Sequence, residues 1–259
     1  MSERALTWSY GGGTQSVAIA VLVAQGKLPV PECIVIADTG HERQRTWDYT
    51  QQYVEPLLAT VGASIQIAPH TLATVGLFAK DGKTLIPAFA GPDSKLDTFC
   101  SNEWKKRVIR RYLRERGYGP ERPVATWIGY SVDEVGRAKP SDVAWQEHRW
   151  PLLWDVPMRR HECVTLIERV GLPSPPRSSC YFCPLHGQAE WREIRDHEPS
   201  DWQKAIKYDA LFYERNGVRL HRSMAPLAEA DIDAPDSRDD PNQLGLIDDG
   251  TCKSGYCFV

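Results

Sequence analysis

Residues 5–24 constrain the fold more than any other stretch. Ala5-Leu6-Thr7-Trp8-Ser9-Tyr10 is a strand-like apolar run, Gly11-Gly12-Gly13 breaks it, and the apolar segment Ser16–Ala24 follows with helical spacing and a stop at Gly26. Cys33-Ile34-Val35-Ile36-Ala37 is short, β-branched and apolar throughout, as a strand buried on both faces must be. A helix over 46–60 and a strand over Ile65-Gln66-Ile67-Ala68 come next. The β-α-β-α-β order predicts an α/β fold: an open, parallel, twisted sheet with helices on both faces. Further on, the pattern predicts a loop over 76–100, a helix over 103–116, a buried strand over 124–130, a helix over 159–170 ending at Gly171, and partly helical structure over 188–215.

The chain has 259 residues, long enough for one large domain with an appendage. Residues 1–228 are expected to form that domain. Residues 229–259 are expected to form an acidic tether, rich in Asp and Glu over 229–249, followed by a cysteine-containing tail. The 31 basic and 34 acidic residues give a net charge of -3, which excludes a generally basic nucleic-acid binder but not a local basic patch. No apolar run reaches the ~20 residues of a membrane span. Met1-Ser2-Glu3-Arg4 leads straight into the first strand, so no signal peptide is expected. Seven cysteines, an odd number mostly near motifs, point to a reducing cytoplasm and to metal-binding or reactive thiols rather than a disulfide framework.

The glycine turn has its own chemistry. Glycines between a strand and a helix let backbone N–H groups approach an anion, and the helix adds its positive end. Thr14 and Ser16 add hydroxyls. The loop lacks the Gly-Lys-Ser/Thr of a Walker loop and is not the dinucleotide fingerprint. A tight turn with no ligand is the alternative.

Gly11-Gly12-Gly13-Thr14-Gln15-Ser16 resembles the pyrophosphate loop of the adenine-nucleotide α-hydrolase superfamily, Ser-Gly-Gly-x-Asp-Ser, with Gly11 for the first serine and Gln15 for the aspartate. Later motifs extend the resemblance toward its PAPS/APS reductase branch. Asp38-Thr39-Gly40-His41 is similar to that branch's Asp-Thr-Gly-His/Tyr. Gly129 to Arg137 is similar to its Gly-x-Arg-x-x-Glu-Ser-x-x-Arg, with Glu134 matching and Arg137 one position short of the closing arginine. Pro151-Leu152-Leu153-Trp154-Asp155 and Gly171-Leu172-Pro173 follow in the same order, and phage and prophage members are the nearest in pattern. The resemblance implies a nucleotide site made of Ser9, Gly11, Gly12, Gly13, Thr14, Gln15, Ser16, Asp38, Thr39, Gly40, Glu134 and Arg137. The resemblance further implies ATP, APS or PAPS as the expected ligand, with Mg as the expected companion of ATP. The missing aspartate counts against Mg-assisted cleavage of ATP. His41 is a candidate acid or base.

Cys180-Tyr181-Phe182-Cys183 is a CxxC, and Cys100 precedes it in Phe99-Cys100-Ser101. In the branch's iron–sulfur members a cysteine pair precedes CxxC by roughly eighty residues, so the resemblance implies a 4Fe-4S cluster on Cys100, Cys180 and Cys183. Cys257 from the tail is the expected fourth ligand. Three protein ligands with one open iron, or a zinc ion on the same cysteines, are the alternatives. Cys33 and Cys163 fit buried core thiols, and Cys252 is the candidate mobile nucleophile. The basic residues between Lys105 and Arg116 suit a solvated face, a hold on the acidic tether, nucleotide phosphates or a nucleic-acid backbone along helix 103–116. Three functions remain open: a sulfonucleotide reductase-like enzyme, an ATP-dependent sulfurtransferase thiolating a base in tRNA or DNA, and a non-enzymatic nucleotide or nucleic-acid binder with a structural cluster.

Overall fold

The computed structural model describes residues 4–69 and 76–235. In chain order the elements are β1 (Ala5–Ser9), α1 (Thr14–Ala24), β2 (Cys33–Ala37), α2 (Gln44–Tyr49), α3 (Glu55–Ala59), β3 (Ile65–Ala68), β4 (Phe89–Gly91), β5 (Ser94–Lys95), α4 (Arg107–Glu115), β6 (Val124–Ile128), β7 (Gln146–Arg149), α5 (Pro151–Trp154), α6 (Arg160–Arg169), α7 (Gln188–His197) and α8 (Pro199–Asn216). A wider π-helical stretch, Thr50–Val54, joins α2 to α3. Pro56 follows it and has no N–H to give to a regular ladder. Another π-helical stretch, Ser101–Lys106, leads into α4. No helix among the described residues is long and apolar enough to cross a membrane.

The contacts gather these elements into two compact units. The first takes residues 4–69 and 101–178 of those described. Its sheet has the order β3-β2-β1-β6-β7, and every neighbouring pair is parallel. The register pairs Trp8 with both Ile34 and Trp127, so these three share one face with Ile36. They pack against Val17, Ile19, Leu22, Leu58, Leu152 and Ile167 from the helices on that side. Cys33, Val35, Ala37 and Val124 point to the other face, where α4 covers them with Val108, Ile109, Tyr112 and Leu113. Helix α1 is buried nearly all round, with Val17 to Val23 at 2% exposure or less. Each large apolar side chain so buried contributes roughly 1.5–3 kcal/mol. The open parallel α/β sheet is the architecture expected.

Strand β7 was not expected. Gln146-Glu147-His148-Arg149 has no apolar or β-branched residue, because an edge strand needs only backbone pairing, here with Val124–Trp127 of β6.

The second unit joins residues 76–100 to 179–235. Phe89 and Arg219 exchange backbone hydrogen bonds of 2.8 and 2.9 Å across the two segments, and Phe78 packs on Phe212 with ring centres 5.5 Å apart. Asp209, 1% exposed, accepts from Arg219 (2.7 Å) and from the backbone of Leu220 (2.8 Å) and Leu227 (3.0 Å). Residues 229–235, expected to begin a weakly ordered tether, instead pack within this unit. Ile232 is buried, Arg192 donates to its carbonyl at 2.8 Å, and Arg195 pairs with Asp233 at 2.7 Å. Arginines on α7 hold this segment, one through the Asp233 carboxylate and one through backbone carbonyls. The rest of the expected tether and tail, with Cys252 and Cys257, lies outside the described residues.

Candidate functional site

All twelve expected nucleotide-site residues fall in the first unit, at or beyond the carboxyl ends of β1, β2 and β6. Ligands of open α/β sheets sit at that end. β1 and β2 are adjacent, so the glycine turn and Asp38-Thr39-Gly40 leave the sheet side by side.

Gly12 has φ +75°, the left-handed region that L side chains rarely adopt. A Cβ there would stand 2.6 Å from Thr46 Cγ2 and 3.6 Å from Ser178 Cβ and Oγ. Gly13 is the N-cap of α1, which begins without any side-chain cap. Cap-less first-turn N–H groups are the donors that an anion satisfies. Gly11 N–H donates to Ser16 Oγ at 3.0 Å, which closes the loop on itself. Thr14 and Ser16 are buried. Below the loop, Gly129 at the end of β6 leaves room for Ser16 and Gln15, whose atoms would stand 3.4 and 3.5 Å from a Cβ there.

Thr46 and Ser178 were not singled out in the sequence, and the fold brings both to the loop. Thr46 is fully buried and its Oγ1 has no hydrogen-bond partner among the described residues. Ser178 Oγ donates to Glu42 Oε1 at 2.8 Å. Glu42 Oε2 lies 3.7 Å from Lys105 Nζ, with the two side chains 4% and 12% exposed. The sequence signals were thin: a glutamate next to His41, and a polar Arg177-Ser178-Ser179 run before the CxxC.

Gln15, where the resembled loop carries an aspartate, has a structural partner. Gln15 Nε2 donates to Glu134 Oε2 at 2.7 Å. The same carboxylate accepts from Ser131 N–H (3.3 Å) and Ser131 Oγ (3.2 Å) and is ion-paired with Arg137, whose guanidinium lies 4.6 Å over the Tyr130 ring. Glu134 and Arg137 thus serve a capping box and a buried pair beside the loop. An amide at position 15 suits a neighbour that is already a carboxylate; an aspartate would oppose it. No acid in the loop is placed as a Mg ligand.

Asp38 and Thr39 shape their own turn. Asp38 Oδ1 accepts from Gly40 N–H at 2.7 Å and Thr39 Oγ1 from His41 N–H at 3.2 Å, with Gly40 at φ +71°. The His41 ring packs on Trp104, centres 5.5 Å apart.

The basic helix is largely engaged with its own fold. Lys106 and Arg110 both reach Asp142, Arg110 also donates to Gln146 at 2.8 Å, Arg107 pairs with Glu103, and Arg116 stacks 3.3 Å over Tyr112. The Arg110 hydrogen bond first, then that of Lys106, holds the Asp142 carboxyl well below the usual carboxylate range.

Cys100, Cys180 and Cys183 all fall in the second unit and are half-buried. Cys183 N–H donates to Cys180 O at 3.0 Å, the turn of the CxxC, and Cys100 N–H donates to Leu85 O at 2.9 Å. The donor chemistry suits a thiolate-bound metal, but no group of three or more Cys, His, Asp or Glu is gathered as a metal site among the described residues. Cys33 and Cys163 lie in the two cores of the first unit; burial pushes the Cys163 thiol up to about 12 and raises that of Cys33.

No family model matches the chain, and no curated protein sequence matches it. Among solved structures it is similar to a phosphoadenylyl-sulfate (PAPS) reductase from Candida auris in a phosphate complex, with TM-score 0.44 and 14% identity over 67% of this chain and 76% of that one. It is also similar to the U34-tRNA thiolase NcsA from Methanococcus maripaludis with its [4Fe-4S] cluster, with TM-score 0.45 and 15% identity over 82% of this chain and 72% of that one. A likeness of this size concerns the course of the backbone, so the chemistry of the site rests on the residues above.

Proposed function

We propose that the glycine loop binds the phosphate or phosphosulfate group of an adenine nucleotide, and that the protein is an enzyme of sulfur chemistry on that nucleotide, PAPS/APS reductase-like. The observation that carries the reading is Gly12. Its left-handed backbone is walled by Thr46 and Ser178 so closely that not even a methyl group fits, and it leads into a helix with no cap of its own. Thr46, whose methyl group faces Gly12, is fully buried, and its hydroxyl has no hydrogen-bond partner among the described residues. The adenine part of the reading comes from the order of motifs, and the sulfur part from that order together with the CxxC turn.

The Gln15–Glu134 hydrogen bond favours sulfonucleotide reduction over ATP-driven sulfur transfer, because adenylation with Mg draws on an acid that this loop lacks. In such a reduction a thiolate attacks the sulfate sulfur, AMP leaves, and a second thiol releases sulfite from the S-sulfocysteine as a disulfide forms. A thiol reductant is therefore required. Cys252 is the proposed attacking thiol. A 4Fe-4S cluster on Cys100, Cys180, Cys183 and Cys257 would hold the cysteine segments together.

Anaerobic incubation with APS, PAPS or ATP and a dithiol tests the proposal. Sulfite and AMP (or its 3′-phosphate) from the sulfonucleotides are expected. Pyrophosphate from ATP with no sulfite would transfer the assignment to the sulfurtransferase. Lack of binding of all three nucleotides, by calorimetry, would remove the nucleotide reading.

A further inference from the structure

Glu42 is a carboxylate in an awkward place. It is 4% exposed and one hydrogen bond removed from a loop shaped to attract anions, because the Ser178 hydroxyl that donates to it is also the group against Gly12. A buried negative charge beside an anion site lowers affinity for any ligand, and it does so in proportion to the ligand's charge. Its partners are Ser178 and Lys105, the latter at 3.7 Å and itself only 12% exposed. Nothing in the hydrogen bonding of the sheet or of the loop requires a charge there, and a neutral amide would keep the bond from Ser178.

We propose that Glu42 is a specificity-determining residue that sets the charge the glycine loop accepts, disfavouring a chain ending in phosphate against one of equal length ending in sulfate. The distinction is one of proton inventory. A terminal phosphate loses a second proton near neutral pH, whereas a terminal sulfate joined to phosphate has none to lose. Adenosine 5′-phosphosulfate and ADP therefore match in length and differ by about one charge. Glu42 makes that difference count, while Lys105 keeps the total tolerable for the anion that is accepted. The inference rests on the nucleotide reading of the loop.

Calorimetry with ADP, APS and AMP on the whole protein, wild type and Glu42→Gln, tests it. Wild type should bind APS more tightly than ADP. Glu42→Gln should strengthen ADP about tenfold and APS clearly less, so that the preference narrows. AMP, which ends in phosphate but is shorter, reports whether the effect follows charge or length. Lys105→Met should act in the opposite sense and weaken ADP more than APS; it carries the test if Glu42→Gln does not fold. Equal shifts for ADP and APS, or none, would overturn the proposal and leave Glu42 as a pin for Ser178. Failure of wild type to bind any of the three would refute the nucleotide reading itself, and this proposal with it.

Discussion

At the residue scale the site is governed by which groups have no alternative. Gly12 is one: the left-handed backbone costs a non-glycine residue roughly 1–2 kcal/mol, and the contact with Thr46 adds to it. Gly12→Ala should therefore lower the unfolding free energy by about 1–3 kcal/mol in urea titrations and abolish calorimetric binding of APS. Stability loss with intact binding would place the anion elsewhere. Gln15 is another. Gln15→Glu would set a second carboxylate at the 2.7 Å contact with Glu134, and we expect a loss of about 1–3 kcal/mol at neutral pH that shrinks once acid protonates one of the pair. Gln15→Met loses only the hydrogen bond and should cost less. The loop was legible in the sequence because its glycines and hydroxyls are consecutive. Thr46, Ser178 and the Glu42–Lys105 pair were not, because each is a single common polar residue whose role depends on a distant segment arriving beside Gly12.

At the element scale, α4 shows how charge on a helix can be structural. Its apolar face, Val108, Ile109, Tyr112 and Leu113, covers one side of the sheet, and its Arg110, with Lys106 just before the helix, converges on Asp142 in the loop before β7. The Asp142 carboxyl is held below its unfolded value of about 3.9. A depressed carboxylate contributes stability that is present above about pH 4 and is lost as pH falls through the folded value. Asp142→Asn should therefore be less stable than wild type at neutral pH and converge with it in acid. Asp142 is 62% exposed, so screening limits the difference to about 0.5–1 kcal/mol, measurable by urea titration at both pH values. Substituting Arg110 should give a similar pH dependence. The same elements show why the sheet was readable from sequence and its edge was not. β1, β2 and β6 announce themselves by unbroken apolar runs because both their faces are covered. β7, at the edge, is specified by pairing alone, and residues 229–235 by arginines on α7 that no local pattern in the acidic run reveals.

At the scale of the whole molecule, the cysteines divide as the two units do. Cys33 and Cys163 belong to the cores of the first unit and are kept protonated by burial, so alkylation of the native protein near neutral pH should spare both. Cys100, Cys180 and Cys183 belong to the second, and they arrive from its two separate segments: Cys100 ends 76–100, and the CxxC lies near the start of 179–235. Those segments are already joined by the Phe89–Arg219 exchange and the Phe78–Phe212 contact. A metal bound by cysteines of both would act as a further cross-link closing a long loop, and loop-closure entropy values such a link at roughly 2–4 kcal/mol. On the proposed 4Fe-4S cluster, anaerobically purified protein should be brown and contain iron and sulfide. Chelation, or Cys180→Ser, should destabilise it by that order, with protease cleavage appearing first in 76–100 and 179–235 while the parallel sheet of the first unit persists. Cys257→Ser should lose iron in air faster than Cys252→Ser, whereas Cys252→Ser should lose turnover with its iron retained. Colourless protein with stoichiometric zinc would keep the cross-link but replace the cluster. Metal-free protein with unchanged stability would leave the three thiols without a ligating role, and the sulfur chemistry would then rest on Cys252 alone.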